Sequence, residues 1–144
     1  MIYLLRHGDA EDGSGDDAAR PLTEKGERQA EAAGEALAEL GASIDTCLSS
    51  PKLRAAETAK IACRQLAVKV ELAEELRGGP FDPLDLAAGR GDVLLVGHEP
   101  DFSAAVASLT GARVKLRKGG LAAVDDSALH ALLSPAQLRA IAAG

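Results

Sequence analysis

Gly91-Asp92-Val93-Leu94-Leu95-Val96-Gly97-His98-Glu99-Pro100 decides the fold. Val93–Val96 is a continuous β-prone run without polar alternation, bounded by Gly91-Asp92 and by Gly97. A strand that is apolar on both faces has to be covered on both faces, which is the pattern of a central strand in a parallel sheet. Pro100 then opens a helix that is expected to run to about Leu109. The polar group that this strand delivers at its carboxyl end is Gly97-His98-Glu99.

The same logic extends outward in both directions. Ile2–Leu5 reads as a buried strand, and Asp9–Arg20, rich in Asp, Gly and Ala, as a loop. Pro21-Leu22-Thr23 opens a helix with Thr23 as its N-cap. Ala30, Ala33, Leu37 and Leu40 recur at helical spacing, and Gly41 is the stop. Ile44–Leu48 is a short strand. Ser50-Pro51 supplies a hydroxyl cap followed by proline at the first helical position. Ala55, Ala59, Ala62, Cys63 and Leu66 form the buried stripe of that helix. Val68–Leu72 is a weaker strand, Gly78-Gly79-Pro80 a loop and Pro83–Ala88 a short helix. Leu121–Val124 and Ala128–Leu133 flank the turn Asp125-Asp126-Ser127, and Ser134-Pro135 starts a last helix. The expected architecture is a three-layer α/β sandwich with a mostly parallel sheet and an antiparallel pair near the C-terminus.

Length and composition set the bounds. A chain of 144 residues, 47% hydrophobic, fits one domain with a substantial core, as in a soluble globular protein. Aromatic residues make up 2%, so alanine, leucine and valine fill that core and a base-stacking surface is not expected. The net charge of −6 argues against nucleic acid and against an anionic membrane surface as partners. Cys47 and Cys63 are the only cysteines and read as reduced thiols of a cytoplasmic protein. No CxxC or His/Cys cluster has zinc spacing, and no metal or organic cofactor is expected. The first residues lack the features of a signal peptide, and no apolar run has the length of a membrane span.

In open α/β sheets, ligands bind beyond the carboxyl ends of the strands. Three expected strand ends carry polar groups there. The first delivers Arg6, His7 and Gly8, the second Ser49, Ser50 and Arg54, and the third His98. Arg20, at the end of the first loop, could join them. Imidazole can accept a phosphoryl group covalently, guanidinium can grip two phosphoryl oxygens, and glycine lets backbone come close. Phosphoryl transfer needs a neutral, oriented nucleophile and fixed donors for the equatorial oxygens. A Gly-x-Ser-x-Gly elbow and a Gly-x4-Gly-Lys-Ser/Thr loop are both absent, which disfavours a serine hydrolase and a P-loop enzyme.

Four blocks carry a resemblance. They are Leu5-Arg6-His7-Gly8-Asp9-Ala10, Arg20-Pro21-Leu22-Thr23-Glu24-Lys25-Gly26, Ser49-Ser50-Pro51-Lys52-Leu53-Arg54-Ala55-Ala56-Glu57-Thr58-Ala59 and Val96-Gly97-His98-Glu99-Pro100. In this order they resemble the histidine phosphatase superfamily, also called phosphoglycerate-mutase-like. Within it they resemble the small SixA-type phosphohistidine phosphatases. The resemblance implies one such domain over residues 1–144. It implies that His7 is transiently phosphorylated and that Arg6, Arg54 and His98 complete the phosphate pocket. Arg20 is implied as a further phosphate ligand, with Gly8 and Asp9 beside the substrate. No metal or cofactor is implied. For the leaving-group acid, larger members carry a carboxylate between the second and third expected strand ends. Glu75, in Ala73-Glu74-Glu75-Leu76, is the best-placed candidate, and Asp9 is the alternative.

The segment between Arg54 and Val93 is short and leaves little room for a lid. An open site suits a phosphohistidine on a signalling or phosphotransfer protein of the histidine-containing phosphotransfer type. The alternatives are a phosphatase of small phosphate esters and, in another class, a non-catalytic phosphoprotein-binding module. The remaining motifs have simpler readings. His130 belongs to no block and reads as structural or surface. Arg90-Gly91-Asp92 is the turn before a buried strand. Asp12, Asp16 and Asp17 lack EF-hand spacing and read as a solvated loop.

Overall fold

A computed structural model of the chain describes residues 1–13 and 15–144. Six strands form one sheet: β1 Ile2–Arg6, β2 Thr46–Ser49, β3 Val70–Leu72, β4 Val93–Gly97, β5 Leu121–Asp125 and β6 Ala128–Leu133. Their order is β3-β2-β4-β1-β5-β6. β3, β2, β4 and β1 run parallel, while β5 is antiparallel to both β1 and β6. The helices are α1 Glu24–Glu39, α2 Leu53–Cys63, α3 Pro83–Ala87, α4 Asp101–Thr110 and α5 Pro135–Ala142.

β4 is buried at every position and lies between β2 and β1. Its side chains alternate between two cores. Leu94 and Val96 join Leu5, Ala33, Leu37, Ala59 and Leu138 on the side of α1, α2 and α5. Val93 and Leu95 join Leu4, Leu86, Phe102 and Val106 on the side of α3 and α4. These two cores make the three layers. Each fully buried leucine or valine of β1 and β4 contributes ~1.5–3 kcal/mol relative to exposure. Tyr3, in the middle of β1, pairs with Leu94 of β4 and Ala123 of β5. Cys47 and Cys63 are buried free thiols. No helix among the described residues is long and apolar enough to cross a membrane.

Several boundaries follow from capping. Thr23 caps α1, accepting from the Gly26 amide at 3.0 Å. Ser134 and Gln137 form a reciprocal capping box at the start of α5. The chain between β5 and β6 turns through Asp126, at φ 56°. The expected loop Asp9–Arg20 contains Ser14, which lies outside the described residues. Within the rest of it, Asp17–Ala19 form one 3-10 turn capped by Asp16.

Some expectations shift. β2 starts at Thr46 rather than Ile44, because Asp45 caps the turn before β4, its carboxylate accepting from the Asp92 amide at 2.8 Å. β3 is confined to Val70–Leu72 at the sheet edge. Leu40 is 57% exposed: it is the C-cap of α1, past the last buried position, Leu37. α2 begins at Leu53, not at Pro51. The Ser50 hydroxyl accepts from the Lys52 amide at 3.2 Å and meets His98 Nε2 at 2.8 Å, so it serves the sheet edge rather than a helix terminus.

Candidate active site

The parallel strands β1 and β4 end in register, Arg6 opposite Gly97. His7 extends the pairing by one bond, its amide donating to the Gly97 carbonyl at 3.0 Å. The next residues of the two strands, His7 and His98, therefore lie side by side, with ring centroids 5.2 Å apart. On the other flank of β4, the Ser50 amide donates to the Val96 carbonyl at 2.9 Å, and α2 carries Arg54 to the same edge. Arg6, His7, Arg20, Arg54 and His98 line one cavity of about 290 Å³. The structure thus gathers these five residues at the carboxyl ends of the strands.

His7 is oriented by its neighbour. Its Nδ1 lies 2.7 Å from the Gly8 carbonyl. A carbonyl only accepts, so Nδ1 carries the proton and Nε2 keeps its lone pair. His7 is only 6% exposed. Burial pushes its pKa down to about 4, opposed by the bond to Gly8 and assisted by Arg54, Arg6 and Lys118. Burial, followed by the neighbouring His7, Arg54 and Lys52, depresses His98 to about 3, with Asp17 opposing. Both rings are neutral at physiological pH.

The loop that carries His7 is pinned on two sides. The Gly8 amide donates to Thr58 Oγ at 3.0 Å, and Thr58 Oγ donates to the Arg54 carbonyl at 2.7 Å. Thr58 is fully buried, one turn beyond Arg54 on α2. On the other side, Gly8 and Asp9 press against Gly26 in the first turn of α1. A Cβ at Gly26 would lie 2.0 Å from the Asp9 carbonyl oxygen, and one at Gly8 would lie 2.7 Å from the Gly26 carbonyl oxygen. Only glycine at both positions lets loop and helix approach this closely.

The two arginines are held but not saturated. Arg6 donates through a terminal nitrogen to the Leu116 carbonyl at 2.9 Å, and Arg54 donates likewise to the Asp17 carbonyl at 2.9 Å. The Nε of each is buried without a hydrogen-bond partner among the described residues. A buried, unsatisfied guanidinium N–H is costly, about 1–3 kcal/mol or more, so two of them beside one cavity call for an anion.

Asp17 pairs with three of the cations that line the cavity. Its carboxylate lies 3.1 Å from Arg20, 3.3 Å from Arg54 and 3.6 Å from Lys52. Arg54 first, then Arg20 and Lys52, hold this carboxyl below the usual carboxylate range. Arg20 also donates to the Glu11 carbonyl at 3.3 Å. Glu99 accepts from the amides of Ser103 and Leu116, at 2.7 and 3.2 Å, and from the Ser103 hydroxyl. It thereby fixes the segment whose Leu116 carbonyl holds Arg6.

Two sequence candidates do not reach the cavity. Glu75 is exposed on the 3-10 turn Glu74–Leu76 and is not among the lining residues. Asp9 turns toward α1, accepting from the Thr23 hydroxyl at 2.9 Å, with Lys118 at 3.6 Å. Gly8 contributes backbone only, orienting His7 and binding Thr58. His130 is exposed on β6. The sequence reads Asp17 only as part of a solvated loop and gives Thr58, Lys52 and Lys118 no role. Thr58 had one usable signal, its i+4 spacing from Arg54 on one helical face.

This arrangement can be set beside known proteins. The fold is phosphoglycerate-mutase-like. A structure of the protein histidine phosphatase SixA complexed with tungstate superposes with a TM-score of 0.82 at 25% identity, covering 95% of this chain and 98% of that one. An uncharacterised protein of Picosynechococcus sp. is 33% identical over 143 residues, 88% of this chain and 86% of that protein. The mitochondrial serine/threonine-protein phosphatase Pgam5 of Drosophila ananassae is 42% identical over 65 residues, a match that spans 45% of this chain and 22% of that protein. Residues 2–85 match the pattern of the histidine phosphatase superfamily (branch 1), and with the histidine-arginine cavity at its strand ends the chain belongs to that superfamily as one of its phosphatases.

Proposed function

We propose that residues 1–144 act as one metal-independent phosphatase domain that works through phospho-His7 and removes phosphate from phosphohistidine on a signalling or phosphotransfer protein. The observation that carries this reading is a neutral His7, its Nε2 lone pair unprotonated, beside two buried guanidinium N–H groups with no partner. His7 Nε2 attacks phosphorus. The P–N bond to His7 forms as the P–N bond to the substrate imidazole breaks. Arg6 and Arg54 meet the equatorial oxygens, His98 adds a further contact, and Arg20 closes the rim. Water then attacks phospho-His7, releasing inorganic phosphate and restoring the free imidazole.

The choice of substrate rests on the leaving group. Neither Glu75 nor Asp9 lines the cavity, and the carboxylates that do, Glu99 and Asp101, accept backbone hydrogen bonds, Asp101 from Gly79 at 3.1 Å. An alkoxide needs a proton donor. A departing imidazole carries its own proton near neutral pH, with an unperturbed pKa of about 6.5. The SixA likeness supports the same substrate class. Two buried thiols fit a reducing, cytoplasmic setting.

The test compares kcat/KM for a phosphohistidine protein with a panel of small phosphate esters, all in EDTA, and traps radiolabelled phosphate on the enzyme. The expected result is preference for phosphohistidine and label on His7. A preference for an ester, or label elsewhere, overturns the reading.

A further inference from the structure

A second cleft, about 880 Å³, adjoins the cavity and shares Arg6 and Lys118 with it. Lys25 of α1, Lys115 and Arg117 of the segment before β5, and Arg139 of α5 complete its cationic lining. Asp9 is the only carboxylate there among the described residues, and it already faces Lys118. Lys25, Lys115, Arg117 and Arg139 are exposed and make no ion pair among the described residues. Arg20, Lys52, Arg54 and Arg77 line the smaller cavity. The two clefts therefore hold ten of the chain's 16 Lys and Arg residues, in a protein of net charge −6.

From this charge asymmetry we infer that the wide cleft docks an acidic protein surface flanking the phosphorylated side chain. This rests on the phosphatase site proposed above for where the phosphoryl group lies, but not on which residue carries it. Unpaired like charges crowded on one rim repel one another, and that cost is offset only when an anionic partner arrives. A small second anion would be held by buried, fixed donors. Here the four unpaired cations stand on exposed side chains, suited to a broad, mobile acidic face. Nucleic acid fits poorly, because no aromatic residue lines the cleft to stack a base. The net negative charge of the rest of the molecule repels acidic partners elsewhere, so attraction is confined to this edge.

Two charge-reversal variants test the inference: Lys115→Glu/Arg117→Glu in the segment before β5, and Lys25→Glu/Arg139→Glu on α1 and α5. None of the four residues lines the smaller cavity. The substrates are free phosphohistidine and an acidic phosphotransfer domain phosphorylated with phosphoramidate. With the acidic domain, kcat/KM should fall about tenfold in each variant, and the wild-type rate should fall with added salt. With free phosphohistidine it should stay within about twofold. Equal losses on both substrates, or no loss on the domain, overturn docking at this cleft. A separate binding arm uses a fluorescent Glu/Asp-rich peptide, which should bind wild type and release from both variants. Undiminished peptide binding to the variants overturns the inference even if phosphohistidine is not the substrate. Failure to hydrolyse free phosphohistidine while peptide binding behaves as expected overturns only the substrate assignment. Loss of inhibition by a small bisphosphate, with the acidic domain still processed normally, would make the cleft a small-anion subsite and overturn protein docking.

Discussion

His7, Arg54 and His98 are 6%, 6% and 7% exposed, and each is tied to a backbone or hydroxyl partner. Across the shared residues Arg6 and Lys118, the cations of the wider cleft are exposed and tied to nothing among the described residues. One edge of the sheet thus holds two neutral rings and a braced guanidinium inside and, among the described residues, free cations outside. Bond-making requires atoms placed to a fraction of an ångström, so the inner groups are buried and braced. Attracting a partner requires only a field, which acts over roughly 10 Å at ordinary salt and needs no fixed geometry. Changes in the inner cavity should therefore alter turnover, and changes on the outer rim should alter encounter.

The largest effect should come from His7→Ala, which removes the phosphoryl acceptor. Turnover of an aryl phosphate should drop by a factor on the order of 10³ or more. A variant retaining a tenth of the wild-type rate would show that the buried side of the comparison does not contain the nucleophile.

Acid titration probes the bracing itself. The native His7 and His98 values, about 4 and about 3, lie below the ordinary 6.5. Between pH 6.5 and 4 the unfolded chain binds these protons and the native chain does not. Stability is therefore greatest above 6.5 and falls as pH drops through that window. Imidazole NMR signals of both rings should stay in their neutral positions down to pH 5, while Tm declines over the same range. A midpoint near 6.5 for either ring would place it in the same solvated class as the outer cleft.

Thr58→Val tests whether pinning at a distance matters. It leaves the Gly8 amide without its acceptor, which should lower stability by ~1–3 kcal/mol. The misplacement of His7 should lower kcat about tenfold, with a smaller change in KM. A stability loss with unchanged kcat would show that α1 alone holds the loop.

The smallest effect concerns Asp17, the exposed carboxylate that reaches the buried arginine. Exposed pairs of this kind are worth about 0–1 kcal/mol. Asp17→Asn should lower KM for an aryl phosphate by up to about fivefold without raising kcat, because Asp17 competes with phosphate for Arg54 and Arg20. A raised KM would mean that Asp17 orders the arginines instead.

What could be read in advance divides along the range of the interactions. β4 and β1 are continuous apolar runs, and Thr23 and Ser134 are local caps, so the neighbouring residues announce them. Ser50-Pro51 has the pattern of a helix start, but the Ser50 hydroxyl answers to His98, 48 positions away. Leu40 continues the helical spacing of α1 but falls at its cap, where the periodicity no longer points inward. The resemblance points to Glu75, but the 3-10 turn it stands on buries Leu76 and leaves Glu75 in solvent. Thr58 and Asp17 act across 50 and 37 positions, on Gly8 and Arg54, and the wide cleft gathers its charges from segments far apart in the chain.

Tyr3 has a practical consequence. The chain has one tyrosine and no tryptophan, and that tyrosine is paired on both sides in β1, four residues before His7. Its ultraviolet emission is a single-site signal, uncontaminated by any other strong fluorophore. A melt followed by that emission reports when the strand delivering the nucleophile comes apart, rather than an average over the molecule. A tryptophan introduced at the rim of the wide cleft would supply a second colour, so that partner docking and strand melting could be watched separately in one sample.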